Sequence, residues 1–153
     1  MEIALDELKD VLKLVDVLVV NDSEARQLTE EYSLVKAAKK ILQMGPKYLI
    51  VKKGEHGALL FYDQQVFVAP ALPLEDVFDP TGAGDAFAGG FMGYLQKVDK
   101  IDFESMKTAI IMGSVTASFC VEKLGPERLK SVTVPEIEQR ANEFVKLTNF
   151  CLA

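Results

Sequence analysis

Apolar residues recur along the chain in two patterns, which predict alternating helices and strands. Helical spacing predicts six helices: Glu2–Leu14, one beginning at Glu24, Ser33–Met44, one carrying Asp85, Phe103–Val121, and one from Thr133 or Val134 to about Leu147. Short apolar runs predict four strands: Val15–Val20, Tyr48–Val51, Ala58–Tyr62 and Val66–Ala69. The run Val15–Val20 is β-branched and continuous, so we expect a strand buried on both faces.

The order of these segments predicts an α/β fold. The first two strands are separated by helices, which favours a parallel pair joined by a right-handed crossover. The last two are separated by Asp63-Gln64-Gln65, which favours a hairpin. A loop, Pro70–Phe78, follows them. No internal repeat, low-complexity tract or linker divides the sequence, so one domain over residues 1–153 is predicted.

Composition indicates a soluble globular protein, because 49% of its residues are hydrophobic and 26% are charged. The net charge of −6 argues against bulk attraction to nucleic acid or to an anionic membrane. Two distant cysteines, Cys120 and Cys151, are typical of a reducing compartment. No signal peptide is visible after Met1, so a cytoplasmic location is expected. His56 is expected to be a solvated turn residue.

The most informative stretch is Asp79-Pro80-Thr81-Gly82-Ala83-Gly84-Asp85-Ala86-Phe87, a loop that opens into a helix. Gly82 and Gly84 each weaken a helix start by about 1 kcal/mol relative to alanine. Without a Cβ atom, however, the N–H groups of residues 82–84 can approach an anion at the positive end of the helix. Asp85 then stands beside that anion as a proton acceptor.

A structural interpretation of the same stretch stays open. Asp79 would be an N-cap with Pro80 at the first helical position, and Asp85 a favourable first-turn acid. Two nucleotide-binding fingerprints are excluded. Phe87 stands where the dinucleotide motif G-x-G-x-x-G needs glycine, and no P-loop motif occurs in the sequence.

Other polar residues are expected at the carboxyl ends of strands, where open α/β sheets bind ligands. Asn21 ends the first strand, and Glu24 lies in the first turn of the next helix, which Asp22 or Ser23 can cap. Local chemistry alone favours a turn residue for Asn21 and a first-turn acid for Glu24. Lys52 and Lys53 end the second strand, and contact with phosphate and plain solvation are equally compatible with them.

Small residues on two helices are compatible with ligand contact or with close packing. Gly113 lies on the apolar side of its helix, where it can contact a flat base or a closely packed helix. Gly89 and Gly93 are expected to let another element pack close.

Taken together, three segments resemble the ribokinase-like (PfkB-type) family of sugar and nucleoside kinases. Residues 79–87 are similar to that family's signature D-T-x-G-A-G-D-x-F. Asn21-Asp22-Ser23-Glu24 is similar to its N-x-x-E motif, and Lys53-Gly54-Glu55-His56-Gly57 to its K-x-G-x-x-G-type nucleotide loop. The sequence departs from the family at Lys52, where many relatives carry threonine.

The resemblance implies a ribokinase-like three-layer αβα fold with a mostly parallel sheet, of which the chain covers the carboxyl-terminal half. It implies an ATP-dependent carbohydrate kinase that uses Mg²⁺ and acts on a sugar or nucleoside. A non-catalytic nucleotide-binding fragment or remnant is the alternative. Two protein partners are compatible with the resemblance: a missing amino-terminal half, or a second copy of the chain.

The resemblance also assigns roles to individual residues. Asp85 would be the catalytic base, and the N–H groups of Gly82, Ala83 and Gly84 the anion hole. Asn21 and Glu24 would hold Mg²⁺ and phosphates, mostly through water. The nucleotide would be bordered by Lys53, Gly54, Gly57 and Thr81, with Gly113 near the adenine. The segments around Asp79, Thr81 and Gly125 would form a candidate monovalent-cation site.

Overall fold

Helices and strands follow one another in the order that the apolar pattern predicts. The computed structural model describes residues 2–149 and 151, and residues 2–6 by their backbone alone. The helices are α1 Glu2–Leu12, α2 Asp22–Thr29, α3 Leu34–Gln43, α4 Ala83–Val98, α5 Phe103–Cys120 and α6 Val134–Thr148. The strands are β1 Val17–Asn21, β2 Tyr48–Lys52, β3 Ala58–Tyr62 and β4 Gln65–Ala69.

The four described strands form one sheet in the order β1-β2-β3-β4. β1 pairs with β2 in parallel, in a register that joins Val17 to Tyr48 and Asn21 to Lys52. β2 pairs with β3 in antiparallel orientation, and β4 follows β3 after a two-residue connection. The predicted α/β class, parallel first pair and hairpin are therefore confirmed.

The expectation that the first strand is buried on both faces is wrong. β1 is half-buried or exposed along its length, and Val19 is 36% exposed, whereas Tyr48–Val51 of β2 is buried. The reason is position, because β1 is an edge strand of the described sheet and β2 lies between two strands. A β-branched run favours a strand in either place.

The chain divides into two compact units, residues 1–68 and 69–153. In the first unit, α2 and α3 pack on one face of the sheet. The buried residues of this cluster are Ala25, Ala38, Ile41, Leu49, Val51 and Phe61. The expected single-domain organisation stays a prediction.

In the second unit, α4 and α5 approach so closely that side-chain carbons are excluded at two glycines. A Cβ atom on Gly90 would lie 2.2 Å from Thr116 Oγ1, and one on Gly113 would lie 2.8 Å from the backbone oxygen of Phe87. The glycines predicted to allow close packing, Gly89 and Gly93, have open space where a Cβ would be, so that expectation is wrong. Both lie on the exposed side of α4, whereas the glycine in contact with α5 is Gly90.

A polar cluster joins the end of α5 to α6 in the same unit. Two guanidinium groups contact the ring of Phe119, with Arg140 3.5 Å and Arg128 5.1 Å from its centroid. Both arginines pair with Glu122, at 2.5 Å and 3.2 Å, and Arg128 also pairs with Glu136. These contacts fix the segment that leaves α5.

The close helix contact predicts opposite effects for two neighbouring substitutions. Gly90→Ala should lower the free energy of unfolding by about 1–3 kcal/mol, because the new methyl group must displace Thr116 or the helix backbone. Gly89→Ala meets open space and should raise it by up to about 1 kcal/mol through better helix propensity. Urea unfolding of both variants measures the difference, and equal effects would contradict the packing described.

Candidate active site

In the first unit, Asn21 and Glu24 form a reciprocal capping box at the start of α2. The Asn21 side-chain oxygen accepts from the Glu24 N–H at 2.8 Å, and the Glu24 carboxylate accepts from the Asn21 N–H at 2.7 Å. Asn21 is therefore the N-cap, and the expectation that Asp22 or Ser23 caps this helix is wrong. Both capping residues are exposed, so a second partner can reach them from solvent.

The second strand ends beside this capping box. Lys52 is the strand partner of Asn21, and Lys53 is the first residue beyond the strand. The following loop is closed by its own backbone, since the Lys53 N–H donates to the Gly57 carbonyl at 2.7 Å. Gly54 and Gly57 have positive φ angles of 56° and 83°, which favour glycine at both positions.

In the second unit, α4 begins within the glycine-containing stretch where the sequence predicts a helix start. Gly82 is its N-cap, with φ 82° and ψ −5°, and Ala83 is its first residue. Pro80 lies outside the helix and Asp79 does not cap it, so the structural interpretation of this stretch is wrong in those two respects. The left-handed conformation of Gly82 is the backbone state that glycine adopts without a steric penalty.

The backbone amides of this bend are not equivalent. The Ala83 N–H donates to the Pro80 carbonyl at 3.1 Å, so an anion that used it would replace that bond. In the described part of the chain, the amides of Gly82 and Gly84 donate to no backbone carbonyl. Gly82, Gly84 and Asp85 are exposed, and Asp85 has no ion-pair partner among residues 2–149 and 151.

Asp79, Thr81 and Gly125 come together beside the bend. Asp79 Oδ1 accepts from the Thr81 N–H at 2.9 Å. Interaction with the Thr81 side chain lowers the pKa of the Asp79 carboxyl most, and the backbone N–H groups of Thr81 and Gly125 lower it further. The three residues that the family resemblance assigns to a cation site are thus neighbours in the fold. The cation itself stays a prediction.

Cys120, the last residue of α5, lies beneath the bend. Its thiol is 3% exposed and contacts the Thr81 carbonyl at 3.8 Å. Burial raises the pKa of this thiol, and the charges of Asp79 and Asp85 raise it further. In addition, the Val121 carbonyl accepts from the Phe78 N–H at 2.9 Å. The sequence contained no signal for this contact across 39 residues.

The remaining sequence candidates have simpler surroundings. Gly113 is buried against Phe87, which is the packing interpretation, and its place near an adenine stays a prediction. His56 is exposed in the loop after β2, as expected. No cluster of three or more metal-binding side chains occurs in the part of the chain that the structure describes. Among the same residues, no helix has the length and apolar character needed to cross a membrane.

The model of the pfkB family of carbohydrate kinases matches residues 1–131. The chain therefore belongs to this family, and the predicted resemblance is confirmed.

Curated relatives match much of the chain. The cytidine kinase of Thermococcus kodakarensis is 39% identical over 92 residues, which cover 58% of this chain and 33% of that protein. The adenosine kinase of Saccharomyces cerevisiae is 32% identical over 132 residues, which cover 79% of this chain and 37% of that protein. The chain thus spans about a third of the length of these relatives.

Solved structures show the same fold. The aminoimidazole riboside kinase of Salmonella enterica, solved with aminoimidazole riboside and an ATP analogue, superposes with a TM-score of 0.77 at 26% identity. The match covers 94% of this chain and 46% of that one. The ribokinase of Thermotoga maritima gives a TM-score of 0.70 at 27% identity, covering 90% and 44%. The fold is therefore that of ribokinase-like kinases, represented here in part.

The hydrogen bonds around Asp79 predict a pH effect that can be measured directly. The Asp79 carboxyl should titrate below its ordinary value of 3.8, because hydrogen bonding, first of all from the Thr81 side chain, favours its ionised form. Stability from these bonds should be complete above pH 3.8 and should be lost as pH falls through the lowered pKa. Carbon-13 NMR of the carboxyl group measures this midpoint.

Thr81→Val provides the matched comparison. It removes the hydroxyl donor and keeps the backbone N–H, so the Asp79 pKa should move back toward 3.8. A midpoint unchanged by this substitution would show that the hydroxyl contributes nothing.

Proposed function

We propose that the chain is the nucleotide-binding and catalytic portion of an ATP-dependent kinase that phosphorylates a hydroxyl group of a sugar or nucleoside. One observation carries the proposal: Asp85, which is exposed, directly follows Gly84, and the amides of Gly82 and Gly84 donate to no backbone carbonyl of the described chain. The pfkB family match over residues 1–131 supports the same reaction.

In the proposed reaction, each part of the bend has its own task. The amides of Gly82 and Gly84 donate to the oxygens of the transferring phosphoryl group, where negative charge is concentrated. Ala83 joins them if its bond to Pro80 opens. Asp85 accepts the proton of the acceptor hydroxyl as that hydroxyl attacks the γ-phosphorus of ATP, and the bond from that phosphorus to the bridging oxygen breaks so that ADP leaves. A positioned base of this kind contributes about 10²- to 10⁴-fold in rate.

ATP is expected to bind together with Mg²⁺. The oxygen atoms of Asn21 and Glu24 in the first unit are compatible with a Mg²⁺ ion that keeps its bound waters. Asn21 and Glu24 are exposed oxygen-bearing residues that already bond to each other, so they suit contact with a hydrated ion. Mg²⁺ usually keeps several of its waters and takes its remaining ligands from one or two carboxylates and phosphates. When bound, it supplies positive charge at the phosphates.

The remaining residue roles belong to the same proposal. Lys53, Gly54 and Gly57 border the nucleotide, and Thr81 lies beside its phosphates. Asp79 contributes to a monovalent-cation site. Kinases of nucleosides and sugars among the relatives support a small hydroxylated acceptor.

A second candidate is a nucleotide-binding fragment without transfer activity. It is supported by coverage, because the chain matches only 33% of the cytidine kinase and 46% of the aminoimidazole riboside kinase. Calorimetry with Mg-ATP, followed by a phosphotransfer screen over pentoses, hexoses and nucleosides, separates the two. Binding without transfer would favour the second candidate. Neither binding nor transfer by folded protein would contradict both.

Asp85→Asn tests the assigned base. In the protein encoded by the complete gene, kcat should fall about 10²- to 10⁴-fold because no group accepts the proton. The affinity for ATP should stay within about threefold, since the amide is isosteric and the backbone donors remain. Stopped assays give kcat, and calorimetry gives the affinity.

Asp76→Asn is the control for a lost negative charge, because Asp76 is exposed in the loop that precedes the bend. Its kcat should equal that of the unsubstituted protein. Full turnover by Asp85→Asn would reject the base, and an equal loss in both variants would point to a general charge effect.

A further inference from the structure

The peptide unit between Thr81 and Gly82 is held by a side chain. The Cys120 thiol donates to the Thr81 carbonyl at 3.8 Å, and no backbone N–H of the described chain donates to that oxygen. The next carbonyl of the bend differs, because Gly82 accepts from the Ala86 N–H at 2.9 Å. Within the part of the chain that the structure describes, Cys120 is therefore the hydrogen-bond partner of the Thr81 carbonyl.

The direction of this carbonyl also sets the direction of an amide. The Thr81 carbonyl and the Gly82 N–H belong to one planar peptide unit, which is trans. In a trans unit the two groups point in opposite directions, so a contact that holds the carbonyl also aims the N–H. Gly82 is exposed, and its N–H donates to no backbone carbonyl of the described chain. The carbonyl thus points toward the end of α5, and the N–H points away from it.

The surroundings of Cys120 keep its thiol protonated. The residue is 3% exposed, and burial first, then the charges of Asp79 and Asp85, raise the pKa of the thiol above its ordinary value of 9.0. At neutral pH the sulfur therefore carries the hydrogen that it donates. The sulfur also lies close to Gly82, because a Cβ atom on that residue would be 3.7 Å from it.

We propose that Cys120 is a positioning residue, whose thiol holds the Thr81 carbonyl so that the Gly82 N–H points at the transferring phosphoryl group. This role rests on the proposed function and deepens it. A donor that is already aimed needs no reorientation when negative charge develops on the phosphoryl oxygens. We therefore expect Cys120 to affect the transition state more than the binding of ATP.

Residual dipolar couplings of the nitrogen-15-labelled chain measure the direction of each N–H bond without a ligand. In the unsubstituted chain, the Gly82 coupling should fit the structure of the second unit. In Cys120→Ala, which removes the donor, the Gly82 coupling should no longer fit, because the peptide unit samples several directions. The Gly84 coupling should fit in both proteins, since Gly84 is the second residue of α4 and the helix sets its direction.

Two further variants separate the hydrogen bond from the volume of the side chain. Cys120→Ser keeps a donor and should restore most of the Gly82 coupling. Val115→Ala removes buried atoms elsewhere in α5, where Val115 packs with Phe119 and Phe144. It should lower the urea midpoint and leave the Gly82 coupling unchanged. An equal loss of the coupling in all three variants would indicate general loosening of α5 and would overturn the role of Cys120.

Kinetics of the protein encoded by the complete gene test the consequence for transfer. Cys120→Ala should lower kcat about three- to tenfold, the effect of one hydrogen bond, and leave KM for ATP within twofold. Cys120→Ser should recover most of kcat. Val115→Ala should keep kcat within twofold, because it leaves the bend untouched.

The outcomes separate the role of Cys120 from the kinase proposal. A Gly82 coupling that still fits in Cys120→Ala, or an unchanged kcat in that variant, would overturn the role of Cys120 and leave the kinase intact. A coupling lost in Cys120→Ala and restored in Cys120→Ser, in a complete protein without phosphotransfer, would support the positioning and contradict the kinase.

Discussion

The close contact between α4 and α5 is the constraint on which the candidate catalytic bend depends. Gly90 meets Thr116 and Met112, and Gly113 meets the backbone of Phe87, so neither helix can shift without opening a gap or a clash. Phe87 is only two residues beyond Asp85, which means that this contact fixes the first turn of α4. The amides at the start of that turn therefore hold their direction before any ligand arrives, as stabilisation of a developing charge requires.

The end of α5 holds the same bend from a second direction. The Cys120 thiol contacts the Thr81 carbonyl, and the Val121 carbonyl accepts a hydrogen bond from the Phe78 N–H. The arginine cluster around Phe119 anchors this segment in turn. An exposed loop of glycine and short polar residues would otherwise sample many conformations. Here, the second unit restrains it with contacts that are mostly distant in sequence.

The sequence predicted the elements well because helical spacing and apolar runs depend on local chemistry. α3 and α6 begin within one residue of the predicted positions, since Ser33 and Thr133 are ordinary N-cap residues. The glycines were correctly placed at the start of α4. The structural interpretation placed the start too early, because a proline after an aspartate is a typical helix start. The exposure of β1 could not be predicted either, because its neighbours in the sheet are set by topology.

The candidate site divides in the same way. The motif residues at 79–85 were identifiable because two glycines at a helix start each weaken the helix, and structure alone would rarely choose both. Their partners were not, since the contacts of Cys120 and Gly125 join residues about 40 apart. The position of Lys52 beside Asn21 required the β1–β2 register, which no local pattern contains. The residue types of the candidate site could thus be recognised in the sequence, whereas the contacts that position them required the folded structure.

The most direct test of the central claim is an amide NMR titration of nitrogen-15-labelled protein with Mg-ATP. If the bend binds a phosphoryl group, the amide protons of Gly82 and Gly84 should shift downfield as they donate to phosphate oxygens. Gly89, on the exposed side of α4, should not shift. Saturable binding that leaves Gly82 and Gly84 unmoved would show that the phosphates lie elsewhere and would contradict the claim.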